Sequence, residues 1–278
     1  MPELPEVHAH AERLHALFAN AILERFEPLT FTALKTLGPQ PGQIEGTPLD
    51  HVGARGKFLL LTADEVTFVV HLMQGGRLKP DTATGKRPRG GIARWVFAGG
   101  DALLLTEPGT ERKAGVWVTQ GDPEAQEPLA GLGPDADRVD RTKLAEILQA
   151  HPGRLHTVLR DQHALAGLGR RLANELCHRA RLSPFASTRR LTEEEVDRLH
   201  AALVAQLAED FAAERDRDDM SSAKERPSAV HARTGEPCPV CGDAVREVAY
   251  RDYTVHYCAT CQTGGRVLAD NTTSKFLR

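Results

Sequence analysis

The chain has 278 residues, 41% of them hydrophobic and 26% charged, with a formal net charge of −3. That length supports one large or two modest domains with cores of their own, and no apolar run approaches the roughly 18 residues that a membrane span needs. The charge balance excludes a global positive field, so any polyanionic partner must be held by local basic patches. The N-terminus lacks the basic and apolar regions of a signal peptide, and a soluble cytoplasmic protein is expected.

In chain order, Val7, Ala11, Leu14, Leu17 and Phe18 fall at helical spacing through VHAHAERLHALF and predict an amphipathic helix. KFLLLT, VTFVVHL, ARWVF and ALLLT then read as short strands, and AGGDA between the last two supplies hairpin glycines. The first 120 or so residues are therefore expected to form an antiparallel, β-rich domain. GDPEAQEPLAGLGPDAD, rich in Pro, Gly and acids, reads as a linker. Beyond it TKLAEILQA, GRLHTVLRD, GRRLANELCHRARL and TEEEVDRLHAALVAQLAEDFAAE are four candidate helices, the last opened by a Thr192–Glu195 capping box. From Arg138 to Arg190 eleven Lys or Arg face four acids, a net +7, read equally as a polyanion site or a solvated face. The polar run AERDRDDMSSAKERPSA reads as a mobile loop.

The strongest local signal lies near the C-terminus. Cys238, Cys241, Cys258 and Cys261 form CPVC and CATC knuckles with sixteen residues between, the spacing of a zinc ribbon. Four thiolates leave no open coordination position, so one structural Zn2+ is expected rather than a catalytic metal. REVAYRDYTVHY between the knuckles alternates like a β-hairpin, and Cys177 reads as a buried small hydrophobe.

The opening MPELPEV carries two readings. An initiator Met before proline is usually trimmed, exposing the secondary amine of Pro2 beside Glu3 and Glu6. Such an amine has an unperturbed pKa of about 8, so it retains a neutral fraction able to attack an aldehydic carbon. Glu3 is placed to carry protons, and Glu6 to orient the helix start. The other reading is a helix entry with acids in its first turn.

With the cysteine knuckles, MPELPEV resembles the formamidopyrimidine-DNA glycosylase and endonuclease VIII family. The likeness runs along nearly the whole chain through RGKFLLL, HLMQGGRL, LAGLGRRLANE, RTGEPCPVC and YCATCQT. The resemblance implies an α+β, multidomain fold: an N-terminal β-sandwich with a flanking helix (1–125), a linker (126–136), a helix-two-turns-helix domain (137–220), and a lesion loop with a zinc-finger β-hairpin (221–278). It implies a monomer that clamps damaged DNA, with Pro2 as nucleophile at C1′, Glu3 as proton carrier, Lys57 of RGKFLLL facing the phosphate and sugar, and Glu6 in support. DNA contacts are expected from His71, Met73, Gln74, Arg112, Lys113, Arg170 and Arg251. The implied activity is base-excision repair, a glycosylase for oxidised bases with AP lyase action. The alternatives are an AP lyase or specialised glycosylase for unusual lesions or single strands, and a non-catalytic lesion binder.

Three departures bear on this. Arg170 stands where the family has a phosphate-binding asparagine, and an arginine can take that phosphate. Tyr253 stands where the zinc hairpin usually carries an arginine, with Arg251 two residues earlier. EPGTERKAG replaces a DPRRFG loop, so Arg112 and Lys113 precede Ala114 rather than an aromatic wedge, leaving Met73 or Gln74 to fill the gap of a flipped base.

Overall fold

A computed structural model describes residues 1–81, 88–110 and 112–268; the last ten residues of the expected zinc-finger segment and Glu111 of EPGTERKAG lie outside them. The chain divides into two compact units, Met1–Gly131 with Glu214–Ala223, and Leu132–Ala213 with Lys224–Arg278.

The first unit opens with helix α1 (Leu4–Phe18), whose Leu4, Val7, Ala11, Leu14 and Phe18 are buried along one face. Two four-stranded antiparallel sheets follow. One has the order β1 (Leu23–Pro28), β6 (Gly91–Phe97), β7 (Ala102–Thr106), β5 (Arg77–Asp81). The other runs β2 (His51–Arg55), β3 (Phe58–Ala63), β4 (Val66–His71), β8 (Gly115–Gln120). Phe26 of the first sheet meets Phe68 of the second at 5.1 Å between ring centroids, and Trp95 meets Phe68 edge-on at 5.6 Å. The sheets thus face each other across one aromatic core, the expected sandwich. The β6–β7 turn carries Gly99 and Gly100 at φ 92° and 93°, which an L side chain tolerates poorly. β6 is buried along its whole length, yet contains Arg94, which pairs with Glu27 of β1 at 3.4 Å and with Asp81 at 3.1 Å.

One expectation is corrected here. The polar run after the last long helix is not simply a mobile loop: Met220 is 4% exposed and belongs to the core of the sandwich unit. Asp219 beside it pairs with Lys79, and Arg215 grips Glu12 of α1 through two hydrogen bonds of 2.6 and 2.7 Å.

The second unit holds α2 (Arg141–Ala150), α3 (Leu155–Leu159), α4 (Arg170–Arg179), α5 (Glu193–Arg215) up to Ala213, the hairpin β9 (Val245–Ala249) and β10 (Thr254–Cys258), and the one-turn α6 (Ala259–Thr263). The Thr192–Glu195 capping box forms as expected, with Glu195 N–H donated to Thr192 Oγ1 at 3.2 Å and Thr192 N–H to Glu195 Oε2 at 2.9 Å. GRLHTVLRD yields only a single turn. Helix α4 ties the hairpin to the helices: Asn174 Oδ1 accepts from His256 N–H, and the Glu175 carboxylate accepts from the N–H groups of Ala229, Val230 and His231. Among the described residues no helix is long and apolar enough to cross a membrane.

Candidate active site

Helix α1 begins at the chain's start, with Pro2 buried before it and Glu3 as its N-cap. Glu3 and Glu6 form a reciprocal capping box, in which Glu6 accepts the Glu3 N–H at 2.5 Å and the Glu3 side chain accepts from the Glu6 N–H. Both carboxylates are almost wholly buried, at 4% and 1% exposure. The helix-entry reading of PELPEV is therefore satisfied, and the same bonds fix Glu3 beside Pro2. Neither reading displaces the other.

The second sheet gathers three more candidates at one of its ends. A two-residue turn, with Gly56 at φ 55°, joins β2 to β3 and places Lys57 at its tip. In the antiparallel register Phe58 lies opposite His71, and His71 opposite Gly115. The Lys57 turn, the loop after His71 and the loop carrying Arg112 and Lys113 therefore meet at the same edge. Lys57 is 9% exposed. Burial, then the nearby charges of Lys57 and the N-terminal amine, lower the His71 pKa to about 4. This coupling puts the start of the chain, Lys57 and His71 within one electrostatic neighbourhood. His71 Nδ1 accepts the Met73 N–H at 3.1 Å, which leaves Nε2 to carry the proton of the neutral ring.

The loop after His71 is sharply constrained. Met73 adopts φ 52°, unusual for a non-glycine residue, and a Cβ on Gly76 would come within 2.2 Å of the Leu72 carbonyl oxygen. HLMQGG thus presents a half-buried Met73 and an exposed Gln74 on a rigid turn. In the second loop Glu107, missed by the sequence reading, accepts the N–H groups of Lys113 and Ala114 at 2.6 and 2.7 Å. Ala114 is drawn into the core at 2% exposure, while Arg112 is half-buried and Lys113 exposed.

In the second unit the four zinc-ribbon cysteines converge, with their sulfur atoms all within 4.8 Å of one another. Cys238 and Cys261 lie 3.9 Å apart and Cys241 and Cys258 3.4 Å. Zinc–sulfur bonds of about 2.3 Å in a tetrahedron require sulfur separations of this size, so the donor set fits one structural zinc. His178 Nε2 lies 3.3 Å from Cys238 Sγ, in place to donate to a ligand sulfur and orient it. Arg170 is the exposed first residue of α4, and Arg251 lies exposed in the β9–β10 turn.

Three domain descriptions match the chain in order: formamidopyrimidine-DNA glycosylase N-terminal domain over residues 1–116, its H2TH domain over 130–222, and the zinc finger found in FPG and IleRS over 235–264. The formamidopyrimidine-DNA glycosylase of Thermus thermophilus is 34% identical over 286 residues, covering 95% of this chain and 100% of its own. The chain belongs to the formamidopyrimidine-DNA glycosylase family. The family's enzyme from Symbiobacterium thermophilum is 31% identical, covering 94% of this chain and 89% of its own. An uncharacterized formamidopyrimidine-DNA glycosylase-like protein of Mycobacterium tuberculosis is 42% identical over 149 residues, 53% of this chain and 94% of that protein. Among solved structures of the family, MutM (Fpg) from Thermus thermophilus superposes with a TM-score of 0.81 at 30% identity, covering 94% of this chain and 98% of that one. Lactococcus lactis Fpg in complex with abasic-site DNA shares the fold, with a TM-score of 0.83 at 20% identity over 94% of this chain and 99% of that one.

Proposed function

We propose that this chain is a DNA glycosylase for oxidised bases that also cleaves the resulting abasic site. The reading rests on buried Pro2 and the buried N-cap carboxylate of its neighbour Glu3 at the head of α1, where the chain's start shares an electrostatic neighbourhood with Lys57 and His71. Once Met1 is removed, the neutral Pro2 amine attacks C1′, the base leaves with the electron pair of the glycosidic bond, and the proton that the new C–N ammonium gives up neutralises the departing base and restores the nitrogen lone pair. Glu3 delivers a proton to the ring oxygen as the sugar opens, and the nitrogen lone pair closes an iminium to C1′. The iminium acidifies the C2′ proton, whose loss expels the 3′-phosphate, and water then releases the amine. Lys57 and the Nε2–H of His71 are the donors proposed for the neighbouring phosphate, with Glu6 holding the helix start, and Met73, Gln74, Arg112 and Lys113 contacting DNA from the two adjoining loops.

A second reading, an AP lyase or specialised glycosylase, is favoured by one observation: Ala114 is buried in the loop where an aromatic wedge is expected. A panel of oligonucleotides, each with one lesion, incubated with and without later alkali, separates the two. Cleavage at oxidised purines or pyrimidines without alkali supports the first reading. Cleavage confined to abasic or single-stranded substrates supports the second.

A further inference from the structure

Beyond β8 the second sheet has one more edge. Leu34 pairs with Val116 in parallel, Val116 donates its N–H to the Ala33 carbonyl and Lys35 its N–H to the Val116 carbonyl, both at 2.8 Å, and Val118 N–H is donated to Thr36 Oγ1 at 2.9 Å. Leu34 packs against the sandwich core, so Lys35, the next residue of an extended chain, faces the other side of the sheet. There it meets Gly115. A Cβ on that glycine would lie 2.2 Å from Lys35 Cε and 3.1 Å from its Cδ and Cγ, so the lysine stem lies where a side chain of β8 would stand. Gly115 has no positive φ, and its backbone therefore does not call for glycine.

Gly115 ends a row that crosses the sheet. Arg55 of β2 lies opposite Phe58 of β3, Phe58 opposite His71 of β4, and His71 opposite Gly115. Residues directly opposed in antiparallel strands project to one face. The Phe58 ring accordingly lies 4.7 Å from that of His71 and 6.2 Å from that of Trp117, which shares the face of Gly115 two residues away. A Cβ at Gly115 would stand about 4.5–5.5 Å from that of His71, so the end of the Lys35 chain and the His71 side chain are neighbours on this face. Arg55, at the far end of the row, is buried and pairs with Glu124 at 3.2 Å. Lys35, at the near end, is exposed and among the described residues has no carboxylate partner. Other surface cations lack one too; Lys35 differs in having a place prepared for it beside His71, at the edge that carries Lys57. From β3 to β8 is two strand spacings, about 10 Å. One strand of DNA advances about 3.4 Å per nucleotide, so that span covers roughly three of them.

We propose that Lys35 contacts a phosphate of bound DNA about two or three nucleotides from the one that Lys57 and His71 face, and that Gly115 is the positioning residue whose bare Cα gives the lysine its place. A lysine stem already laid along a sheet gives up less freedom when its head is bound than one in open solvent. The inference rests on the reading that the chain binds damaged DNA with Lys57 and His71 at the reacting nucleotide.

The test is fluorescence anisotropy at several salt concentrations, with a duplex containing a tetrahydrofuran abasic analogue and a series in which one uncharged methylphosphonate is moved phosphate by phosphate away from the lesion. Lys35→Ala should weaken binding by about tenfold and lower the salt slope by about one. Lys35→Met, which keeps the stem over Gly115 and loses the charge, should do the same. A methylphosphonate at one position about two or three nucleotides from the lesion should weaken wild-type binding to a similar extent and leave Lys35→Ala binding no weaker than before. Gly115→Ala puts a Cβ where the lysine lies, so it should reproduce most of the loss with unchanged thermal stability, and the double variant should lose no more than Lys35→Ala alone. A Lys35→Ala protein with unaltered affinity and slope, a loss that no single methylphosphonate cancels, or a Lys35→Met protein that binds like wild type overturns the phosphate contact while wild-type binding still stands. Additive losses in the double variant, or a Gly115→Ala protein of lowered thermal stability, overturn the place assigned to Gly115. Wild-type protein that fails to bind the abasic duplex at low salt overturns both this inference and the reading on which it rests.

Discussion

Glu3→Gln is expected to stop base excision almost completely, by about 10²–10⁴-fold, while leaving reaction with a ready-made abasic site partly intact. The separation follows from the two tasks of this carboxylate. As N-cap it accepts a backbone N–H from Glu6, and a glutamine oxygen can do the same, so the helix start and the position of Pro2 survive. As proton carrier it must ionise and protonate, which an amide cannot do. Single-turnover cleavage of a damaged duplex and of an abasic duplex, measured side by side, reads the two tasks independently. If the glutamine variant excised damaged bases at the wild-type rate, Glu3 would be only a cap. Glu3→Ala removes the cap as well and should cost roughly a further 0.5–2 kcal/mol of stability.

Removing zinc should act on the other unit. Among the described residues the hairpin's apolar support is two small buried clusters, Val230, Cys238, Val245 and Cys258 in one and Val248, Tyr257 and Ala259 in the other, and half of the first is made of the ligands themselves. A structural zinc supplies about 10–16 kcal/mol, comparable with the whole stability of a domain. Chelation, or Cys258→Ser, is therefore expected to release the hairpin from hydrogen-exchange protection while protection in β3, β4 and β6 persists. Because the β9–β10 turn carries Arg251, an expected DNA contact, DNA affinity should fall with it, by about tenfold for each charge-assisted hydrogen bond to phosphate that disappears. Metal-free protein that bound DNA as tightly as wild type would remove the hairpin from the binding surface.

The elements visible in the sequence were those whose determinants are local. Thr192 and Glu195 announce the start of α5 because a capping box is completed within one turn of the chain. The four cysteines announce the zinc site because ribbon spacing is a covalent property of the chain. Strand β1, LERFEP, escaped because its charges break the apolar pattern; Glu27 is paired there with Arg25 and with Arg94, which lies opposite it on β6. Met220 escaped for the same reason, being one apolar residue in a polar run whose burial is decided by distant side chains. At the candidate site, Pro2, Glu3 and Lys57 stood out through motifs, whereas Glu107 did not. Glu107 matters through two backbone N–H groups of its own loop, which no local pattern of residue types records.

The most direct test of the account is borohydride trapping on abasic DNA with protein whose mass confirms that Met1 has been removed and Pro2 is the terminus. An iminium shared by Pro2 and C1′ is reduced to a stable amine, so a covalent protein–DNA band should appear on a denaturing gel, and should vanish for a chain extended before Pro2. Protein with a verified Pro2 terminus that gave no band on abasic DNA, single- or double-stranded, would contradict the enzymatic reading and leave a lesion-binding protein in its place.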